Sequence, residues 1–434
     1  MTSEVFVWIH LPAQDQPTLA GRVRREVTPG GDTGRFVYGK RYLSNPAAVP
    51  VDPVALPLRE EEFVTTLLSG HFSALLDAGP DSWGKRLAAL EHGQQDELGY
   101  LLCTRGDQAG ALSFSASADT APATGRSFDF SSMEELSEAA SLADQGAPLK
   151  TRHLKLLQAG TGGARPKFSI IKDGVLWLAK LESVKDQGLP SNVPQLEAAT
   201  LDLAALAGIE VPEHHVCAAG ARKALLVKRF DRVPVDQPSS DIQSHSQTSR
   251  RASPPGGKMA LPMWRKQRYV SARTVFYSNP ELQRWSNTGS YARLAREMAR
   301  WSINPAHDRH QLFLRLVFNC LVSNTDDHDL NHGLIGDAQG FVLAPAFDIV
   351  PQPSGTVRRV QALLAGEQGA NAQRTNILSS AAAYGLQPKV ANALIDEVKQ
   401  TVEKHWRTCL ANNGIGKTVT KRLASSFVPA YFES

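Results

Sequence analysis

The sequence predicts an α+β protein in which a small amino-terminal unit precedes a larger second unit. Its 434 residues, 42% of them hydrophobic, can bury a substantial core and exceed the usual span of one domain. Residues 5–11 and 35–38 are rich in β-branched and aromatic side chains and are bounded by Gly or Pro, which predicts short strands. Residues 311–322 and 388–406 repeat apolar side chains at helical spacing. We therefore expect both strands and helices, arranged in two domains.

The amino-terminal unit is expected to end near residue 112. Residues 60–76 carry apolar side chains at three- and four-residue steps, which predicts a helix, and GPDS at 79–82 supplies a turn and a helix cap. Between residues 113 and 146 the composition shifts to Ser, Ala, Asp and Gly, as in a poorly packed connector. The resulting division is residues 1–112 for the first unit, 113–150 for a connector and 151–434 for the second unit.

The overall composition excludes several classes of protein. Lys and Arg total 47 against 43 Asp and Glu, and a net charge of +4 is too small for this length to indicate nucleic-acid binding by itself. The four cysteines form no CxxC pair, so neither a zinc site nor a disulfide framework is indicated. Residues 1–11 lack the basic segment of a secretory signal, and the apolar residues 312–322 are too short to span a bilayer. We expect a soluble, cytoplasmic protein with no membrane partner.

A hairpin preceded by glycines is the first candidate for a functional element. Residues 167–171 and 175–181 are apolar runs joined through Asp173-Gly174, which is a strong two-residue hairpin signal. The run GTGG at 160–163 comes just before it. Glycines there would let backbone N–H groups approach phosphates, although such a loop is more often only a turn.

Two charged residues follow in an order that is typical of kinases. Lys180 lies on the second strand of the hairpin, and Glu197 lies near the start of a probable helix over residues 194–206 that ends at Gly208. In kinases a strand lysine contacts the α- and β-phosphates while a helix glutamate holds it in place. The alternative is a surface lysine and a solvated glutamate that never meet.

A second candidate site lies in the run SNTDDHDLN at 323–331. Asp326 and Asn331 have the interval at which protein kinases place their catalytic aspartate and metal-binding asparagine. A further hairpin pattern over residues 334–343 would return Asp348 to the same place, where a kinase carboxylate holds the metal ion that bridges the phosphates. Each acid alone could be a solvated or helix-capping carboxylate. Their order along the chain favours a phosphoryl-transfer site.

Several runs of residues resemble the HipA family of bacterial serine/threonine kinase toxins, nearly from end to end. They are GARPK at 163–167, RFDR at 229–232, NTDDH at 324–328 with Asn331, and FD at 347–348, together with FVY at 36–38, SWG at 82–84 and the pairs Gly106-Asp107 and Gly110-Ala111. The resemblance implies a protein-kinase-like fold of the HipA type. It would comprise a small α+β amino-terminal subdomain, a strand-containing nucleotide lobe and a mainly helical carboxy-terminal lobe.

The resemblance also implies roles for individual residues. Asp326 would be the catalytic base, Lys180 would contact the phosphates and Glu197 would pair with Lys180. Asn331 and Asp348 would be the Mg²⁺ ligands, and residues 228–230 would lie at the adenine hinge. The residues expected to bind ATP are Gly160, Thr161, Gly162, Gly163, Lys167, Lys180, Lys228, Arg229, Phe230 and His328.

The chain departs from the family pattern at several positions. Asp327 and Asp329 add acids beside the expected base and could alter metal affinity or substrate charge preference. Thr161 is the hydroxyl nearest to the position of the family's autophosphorylated serine. His328 could act as an acid or base, but orienting the loop is the favoured role because an aspartate already occupies the base position. Residues 233–268 form a long polar and basic insert whose composition predicts disorder.

The activity implied by the resemblance is transfer of the ATP γ-phosphate to Ser or Thr of a protein, with Mg²⁺ as cofactor. An aminoacyl-tRNA synthetase, glutamyl-tRNA synthetase first, would be the target, and growth arrest the consequence. The family also implies a HipB-like DNA-binding antitoxin that inhibits the kinase and holds it on operator DNA, so that DNA contact would be mainly indirect. Two other functions stay open: a catalytically weak corepressor module of a toxin–antitoxin operon, and a kinase of small molecules.

Overall fold

The amino-terminal unit is built on an antiparallel sheet. The computed structural model describes residues 2–12, 14, 16–104, 106–122, 127–157, 165–183, 193–235, 264–279, 289–353 and 357–434. The first sheet has the order β4-β3-β2-β1-β5, with strands Thr2–His10 (β1), Pro17–Thr28 (β2), Gly31–Tyr38 (β3), Glu62–Thr65 (β4) and Leu112–Ser115 (β5). Helices lie at Lys40–Leu43 (α1), Ser73–Leu76 (α2), Ser82–His92 (α3) and Glu97–Leu102 (α4). The strands predicted at residues 5–11 and 35–38 are confirmed.

The helix predicted over residues 60–76 is wrong. Residues 62–65 form the edge strand β4, in which Phe63 pairs with Phe36 of β3, and only α2 is α-helical. Leu68 and Ser69 have φ values of 47° and 55°, which a right-handed helix cannot accommodate. Pairing with an existing sheet outweighs a helical periodicity in so short a segment. The predicted cap is confirmed, because the Asp81 carboxylate accepts the Gly84 N–H at the start of α3.

A second sheet forms what we call the strand lobe, residues 127–231. Its order is β6-β7-β8-β10-β9, with strands Phe128–Asp129 (β6), Lys167–Lys172 (β7), Val175–Leu181 (β8), His214–Ala219 (β9) and Arg222–Lys228 (β10). Asp173 and Gly174 turn the β7–β8 hairpin with φ values of 52° and 74°, as the sequence predicted. Helices lie at Met133–Asp144 (α5), Thr151–Leu157 (α6) and Val193–Leu206 (α7).

The expected connector at residues 113–150 is instead largely packed structure. Its first residues complete β5, and β6 pairs with β7 in parallel. Met133, Leu136 and Ala140 of α5 are buried in the core of the strand lobe. Small side chains at helical spacing let α5 lie close against the sheet, so a low content of large apolar residues did not mean poor packing.

The remaining residues form a mainly helical lobe around a large apolar core. Its elements are Arg232–Pro234 (β11), Trp264–Lys266 (β12), Arg268–Ser271 (β13), Ala272–Tyr277 (α8), Tyr291–Trp301 (α9), Pro305–Leu321 (α10), Gly333–Gly336 (β14), Phe341–Leu343 (β15), Arg374–Ser379 (α11), Pro388–Asn412 (α12) and Lys417–Leu423 (α13). β11 pairs with β12, and β13, β14 and β15 form a small antiparallel sheet. Residues 236–263, the bulk of the insert predicted to be disordered, lie outside the described residues. Among the described residues, no helix combines the length and apolar character needed to cross a membrane.

A buried ionic cluster joins the amino-terminal unit to the strand lobe. Arg229 makes a bidentate contact with Asp231, at 2.9 and 2.8 Å, and its Nη1 lies 2.6 Å from Oδ1 of Asp107. Arg232 donates to the same Asp231 carboxylate and to the Gln108 carbonyl oxygen. The Gly106-Asp107 pair and the RFDR run at 229–232, more than a hundred residues apart in sequence, are therefore in direct contact.

A second junction joins the amino-terminal unit to α8. The Asp77 carboxylate accepts hydrogen bonds from the backbone N–H and the hydroxyl of Ser271, at 2.7 and 2.6 Å, and from the hydroxyl of Thr274 at 2.7 Å. Burial outweighs these hydrogen bonds and raises the pKa of Asp77 to about 6.

This shift predicts a pH-dependent stability. The folded-state pKa lies above the unfolded value of about 3.9, so the stabilisation from protonated Asp77 is present below about pH 4 and is lost as the pH rises through about 6. Between about pH 5 and about pH 7.5 the wild type should lose about 1 kcal/mol relative to Asp77→Asn, which cannot titrate. Urea unfolding of both proteins at the two pH values measures this, and a difference that stays constant would contradict it.

Candidate active site

Lys180 lies at the centre of the candidate site. β8 presents its Nζ to two carboxylates, Oε1 of Glu197 on α7 at 2.6 Å and Oδ1 of Asp348 at 3.1 Å. The side chain of Lys180 is 13% exposed and that of Glu197 3%, whereas that of Asp348 is 40% exposed. The structure thus brings together three of the residues that the sequence singled out, and only the aspartate offers much surface to a ligand.

Charge in this cluster is stabilised by its own geometry. Burial alone would lower the pKa of the Lys180 ammonium, but the carboxylates of Asp348 and Glu197 outweigh burial and hold that pKa above its ordinary value. Lys180 in turn holds the pKa of the Asp348 carboxyl well below its usual range, with a further contribution from Lys167. Lysine and aspartate therefore both stay charged at neutral pH.

Glu197 fixes the backbone of Asp348 as well as the lysine. The backbone N–H of Asp348 donates to Oε1 of Glu197 at 3.1 Å. Asp348 has a φ of 60°, a left-handed conformation that aspartate tolerates better than most residues. It follows the β14–β15 hairpin, which matches the predicted second hairpin and carries the chain back to α7.

The segments that carry Asp326 and Asp348 run side by side in opposite directions. Backbone hydrogen bonds of 2.9 Å join the two segments at both ends. They link the Ala344 N–H to the Gly333 oxygen and the Gln352 N–H to the Ser323 oxygen. Asp326 and Asn331 lie between these two links on one segment, and Asp348 lies between them on the other.

The carbonyl oxygen of Asp326 organises the loop around it. It accepts the backbone N–H of His328 at 3.0 Å and Nδ2 of Asn331 at 2.8 Å, while Asp326 itself is exposed. Because the amide nitrogen is used in this way, Oδ1 of Asn331 is left as the acceptor that can face a metal ion. Nδ1 of His328 accepts the Leu330 N–H at 3.2 Å, so this ring hydrogen-bonds within the loop.

The two extra acids of the loop lie in different environments. Asp327 is only 1% exposed and faces the protein interior. The expectation that it alters substrate charge preference is therefore wrong, because a buried side chain cannot meet a protein substrate. Asp329 pairs with Arg273 at 3.3 Å. Local sequence could not reveal the inward orientation of Asp327, since the hydroxyl that donates to its carboxylate belongs to Tyr291, 36 positions away.

A cleft beside Lys180 is rich in positive charge. Its lining residues are Arg165, Lys167, Lys180, Leu181, Val193, Pro194, Glu197 and Asp348. Three cations and two carboxylates in one cleft suit a polyphosphate carried with a divalent ion. Lys167 also lies 3.5 Å from Asp81 of the amino-terminal unit. Arg165 lines this cleft but was not among the predicted site residues, although it belongs to the GARPK run.

The other residues expected to bind ATP do not all lie at the cleft beside Lys180. The rings of Phe230 and Phe347 lie 5.8 Å apart, so the predicted hinge contacts the residue before Asp348. Lys228 is exposed and pairs with Glu213. The guanidinium of Arg229 lies in the buried ionic cluster described above, a role that the sequence did not predict. Residues 160–163 lie outside the described residues.

The oxygen donors present are suited to Mg²⁺. Asp348 supplies a charged carboxylate and Asn331 an amide oxygen, and Mg²⁺ is commonly bound by one or two such groups together with substrate phosphates and water. Within the part of the chain that the structure describes, no group of three or more His, Cys, Asp and Glu side chains forms a metal cage. A site completed by the nucleotide is the arrangement that these residues fit.

Comparison with known proteins identifies the family. The model of the HipA-like C-terminal domain matches residues 159–406, more than half of the chain. The chain belongs to this HipA-like family. The protein Y4mE of Sinorhizobium fredii, which is named as a kinase, is 27% identical over 334 residues, covering 74% of this chain and 72% of the relative.

The fold of this HipA-like chain is also that of a solved structure. The complex of HipA with HipB and operator DNA from Shewanella oneidensis, a toxin–antitoxin system, aligns over 97% of this chain and 94% of that chain, with a TM-score of 0.64 and 15% identity. At this identity the match concerns the fold alone. The predicted α+β, protein-kinase-like fold of the HipA type is therefore confirmed.

Proposed function

We propose that this HipA-like chain is a protein kinase that transfers the γ-phosphate of ATP to a Ser or Thr hydroxyl, with Mg²⁺ as cofactor. The observation that carries the proposal is the position of Lys180 Nζ, 2.6 Å from Glu197 and 3.1 Å from Asp348. A buried lysine held by a helix glutamate beside a part-exposed aspartate is the nucleotide and metal arrangement of kinases.

Each residue of the site has a role in this proposal. Lys180 neutralises the α- and β-phosphates, and Glu197 keeps it in place. Asp326, exposed at the turn of its loop, accepts the proton of the attacking hydroxyl. Asp348 and Oδ1 of Asn331 hold Mg²⁺. When bound, the metal ion neutralises charge that develops on the phosphates.

We further propose the biological setting. A HipB-like antitoxin binds the kinase, inhibits it and carries it to operator DNA, so that the kinase contacts DNA mainly through its partner. The support is the fold that this chain shares with the Shewanella HipA of the complex with HipB and operator DNA. The protein substrate is an aminoacyl-tRNA synthetase, glutamyl-tRNA synthetase first, and its modification in the cytoplasm arrests growth. This target rests on the family resemblance.

Replacing Lys180 by methionine tests the kinase function. The change removes the charge that faces the phosphates, and loss of one preorganised electrostatic contact costs about 100- to 1,000-fold in rate. Transfer of label from γ-labelled ATP to proteins of a host lysate is the measurement, and urea unfolding checks that the variant is folded. Label in small molecules rather than protein bands would contradict a protein substrate.

A matched control comes from the neighbouring strand. Lys223 on β10 is exposed, whereas the ion pair of Glu197 is with Lys180, so Lys223→Met removes a lysine of the same lobe without touching that pair. The rate of this variant should stay within about twofold of wild type, as is usual for an exposed residue outside the site. Equal loss in both variants would remove the support that Lys180 gives to the proposal.

A further inference from the structure

The acid that follows the proposed base is turned inward and held on both sides. The hydroxyl of Tyr291, in the first turn of α9, donates to Oδ2 of Asp327, and Nε2 of His332 lies 2.7 Å from Oδ1. The three residues are buried, with exposures of 1% for Asp327, 0% for Tyr291 and 2% for His332. Since a buried carboxylate is costly unless it is paired, the hydrogen bond from Tyr291, with the His332 ring in close contact on the other side, defines where Asp327 can lie.

The contact continues into α10 and back to the loop. Nδ2 of Asn319 on α10 donates to the Tyr291 hydroxyl at 2.9 Å, and Nδ2 of Asn324 donates to Oδ1 of Asn319 at 3.2 Å. Because an amide nitrogen can only donate, these hydrogen bonds run in one direction, from Asn324 through Asn319 to Tyr291 and then to Asp327. The loop is thus attached at its start by Asn324, in its middle by Asp327 and at its end by His332.

Anchoring Asp327 determines what the rest of the loop can do. Asp326 is its direct neighbour, so a backbone that turns Asp327 into the protein leaves Asp326 exposed, as the structure has it. The carbonyl oxygen of Asp326 also receives Nδ2 of Asn331. A shift of Asp327 would therefore move the proposed base and the proposed metal ligand together.

We propose that Asp327 is a positioning residue for phosphoryl transfer, whose buried carboxylate, held by Tyr291 and His332, aims Asp326 at the substrate hydroxyl and Asn331 at the metal ion. The inference rests on the proposed kinase function and deepens it. Its physical basis is preorganisation. Groups that are held in reactive geometry before binding lose little further entropy on reaching the transition state, and a displacement of about 1 Å can lower the rate about 100-fold. Tyr291 and His332 belong to the same device.

Two variants test the inference in the full chain. Asp327→Asn keeps the size of the side chain but removes its charge, and Tyr291→Phe removes only the hydroxyl. With formation of ADP from Mg-ATP as the readout, we expect kcat to fall at least about tenfold in each, with KM for ATP within about twofold. The double variant should be no slower than Asp327→Asn, because both changes act on the same hydrogen bond between Tyr291 and Asp327. An unchanged kcat in folded Tyr291→Phe, or a raised KM with unchanged kcat, would overturn the inference.

Asp329→Asn is the control, because its pairing with Arg273 is part-exposed and it lies in the same loop. Hydrogen exchange of residues 323–332 supplies a readout that needs no activity, and we expect faster exchange there in both test variants and not in the control. If the wild type turns over no ATP, the kinase proposal fails and exchange alone decides the anchoring. Exchange that stays at the wild-type rate in both variants would overturn it. Should Asp327→Asn not fold, Tyr291→Phe decides.

Discussion

Replacing Asp326 by asparagine is expected to lower phosphoryl transfer by about 100- to 10,000-fold, the contribution typical of a positioned general base. Asparagine has almost the same size and leaves the backbone carbonyl free to hold His328 and Asn331. Affinity for Mg-ATP and the unfolding free energy should therefore stay close to wild type. Initial rates with γ-labelled ATP, calorimetry with ATP and urea unfolding measure the three quantities.

Asp329→Asn is the matched control for this experiment, since it removes one carboxylate from the same loop. Its rate should stay within a few-fold of wild type, because a part-exposed ion pair contributes little to the stability of the loop. In cells, the wild type should arrest growth and add phosphate to one dominant protein, whereas Asp326→Asn should do neither. Equal toxicity of the two would contradict the kinase function.

Arg229→Ala is expected to lower the unfolding free energy by about 3–5 kcal/mol, because it leaves the buried carboxylates of Asp107 and Asp231 without their main partner. The side chain of Arg229 is 6% exposed, and its ion-pair partners among the described residues are Asp107 and Asp231. The loss should therefore be one of stability, measured by urea unfolding, rather than of ATP affinity in protein that remains folded.

Arg222→Ala, on β10 of the same lobe, provides the comparison. Arg222 donates to the Ser141 hydroxyl at 2.7 Å and is only partly buried. Its replacement should cost roughly 1 kcal/mol or less. A loss for Arg229→Ala no larger than that for Arg222→Ala would show that the ionic cluster does not hold the two units together.

The features that sequence predicted well were set by local chemistry. Asp173-Gly174 specifies a tight turn whatever surrounds it, so both strands of the β7–β8 hairpin and the position of Lys180 could be predicted. Helix α7 begins one residue before the predicted start and is followed by Gly208 with a φ of 78°. Once a strand and a helix are located, a lysine and a glutamate on facing sides can be expected to meet.

The features that sequence missed depend on distant partners. β4 is a strand because it pairs with the edge of β3, and α5 is packed because its small side chains contact the second sheet. Asp327 is buried because Tyr291 and His332 surround it, and Tyr291 is 36 positions away in sequence. Neither turn chemistry nor periodicity carries information of that range.

The most direct measurement is a structure of the full chain with Mg²⁺ and a non-hydrolysable ATP analogue. The triphosphate should lie within hydrogen-bonding distance of Lys180 Nζ, and the metal ion should be bound by Asp348 and by Oδ1 of Asn331. A nucleotide bound away from Lys180, or a metal ion held by neither Asp348 nor Asn331, would contradict a phosphoryl-transfer site built from these residues.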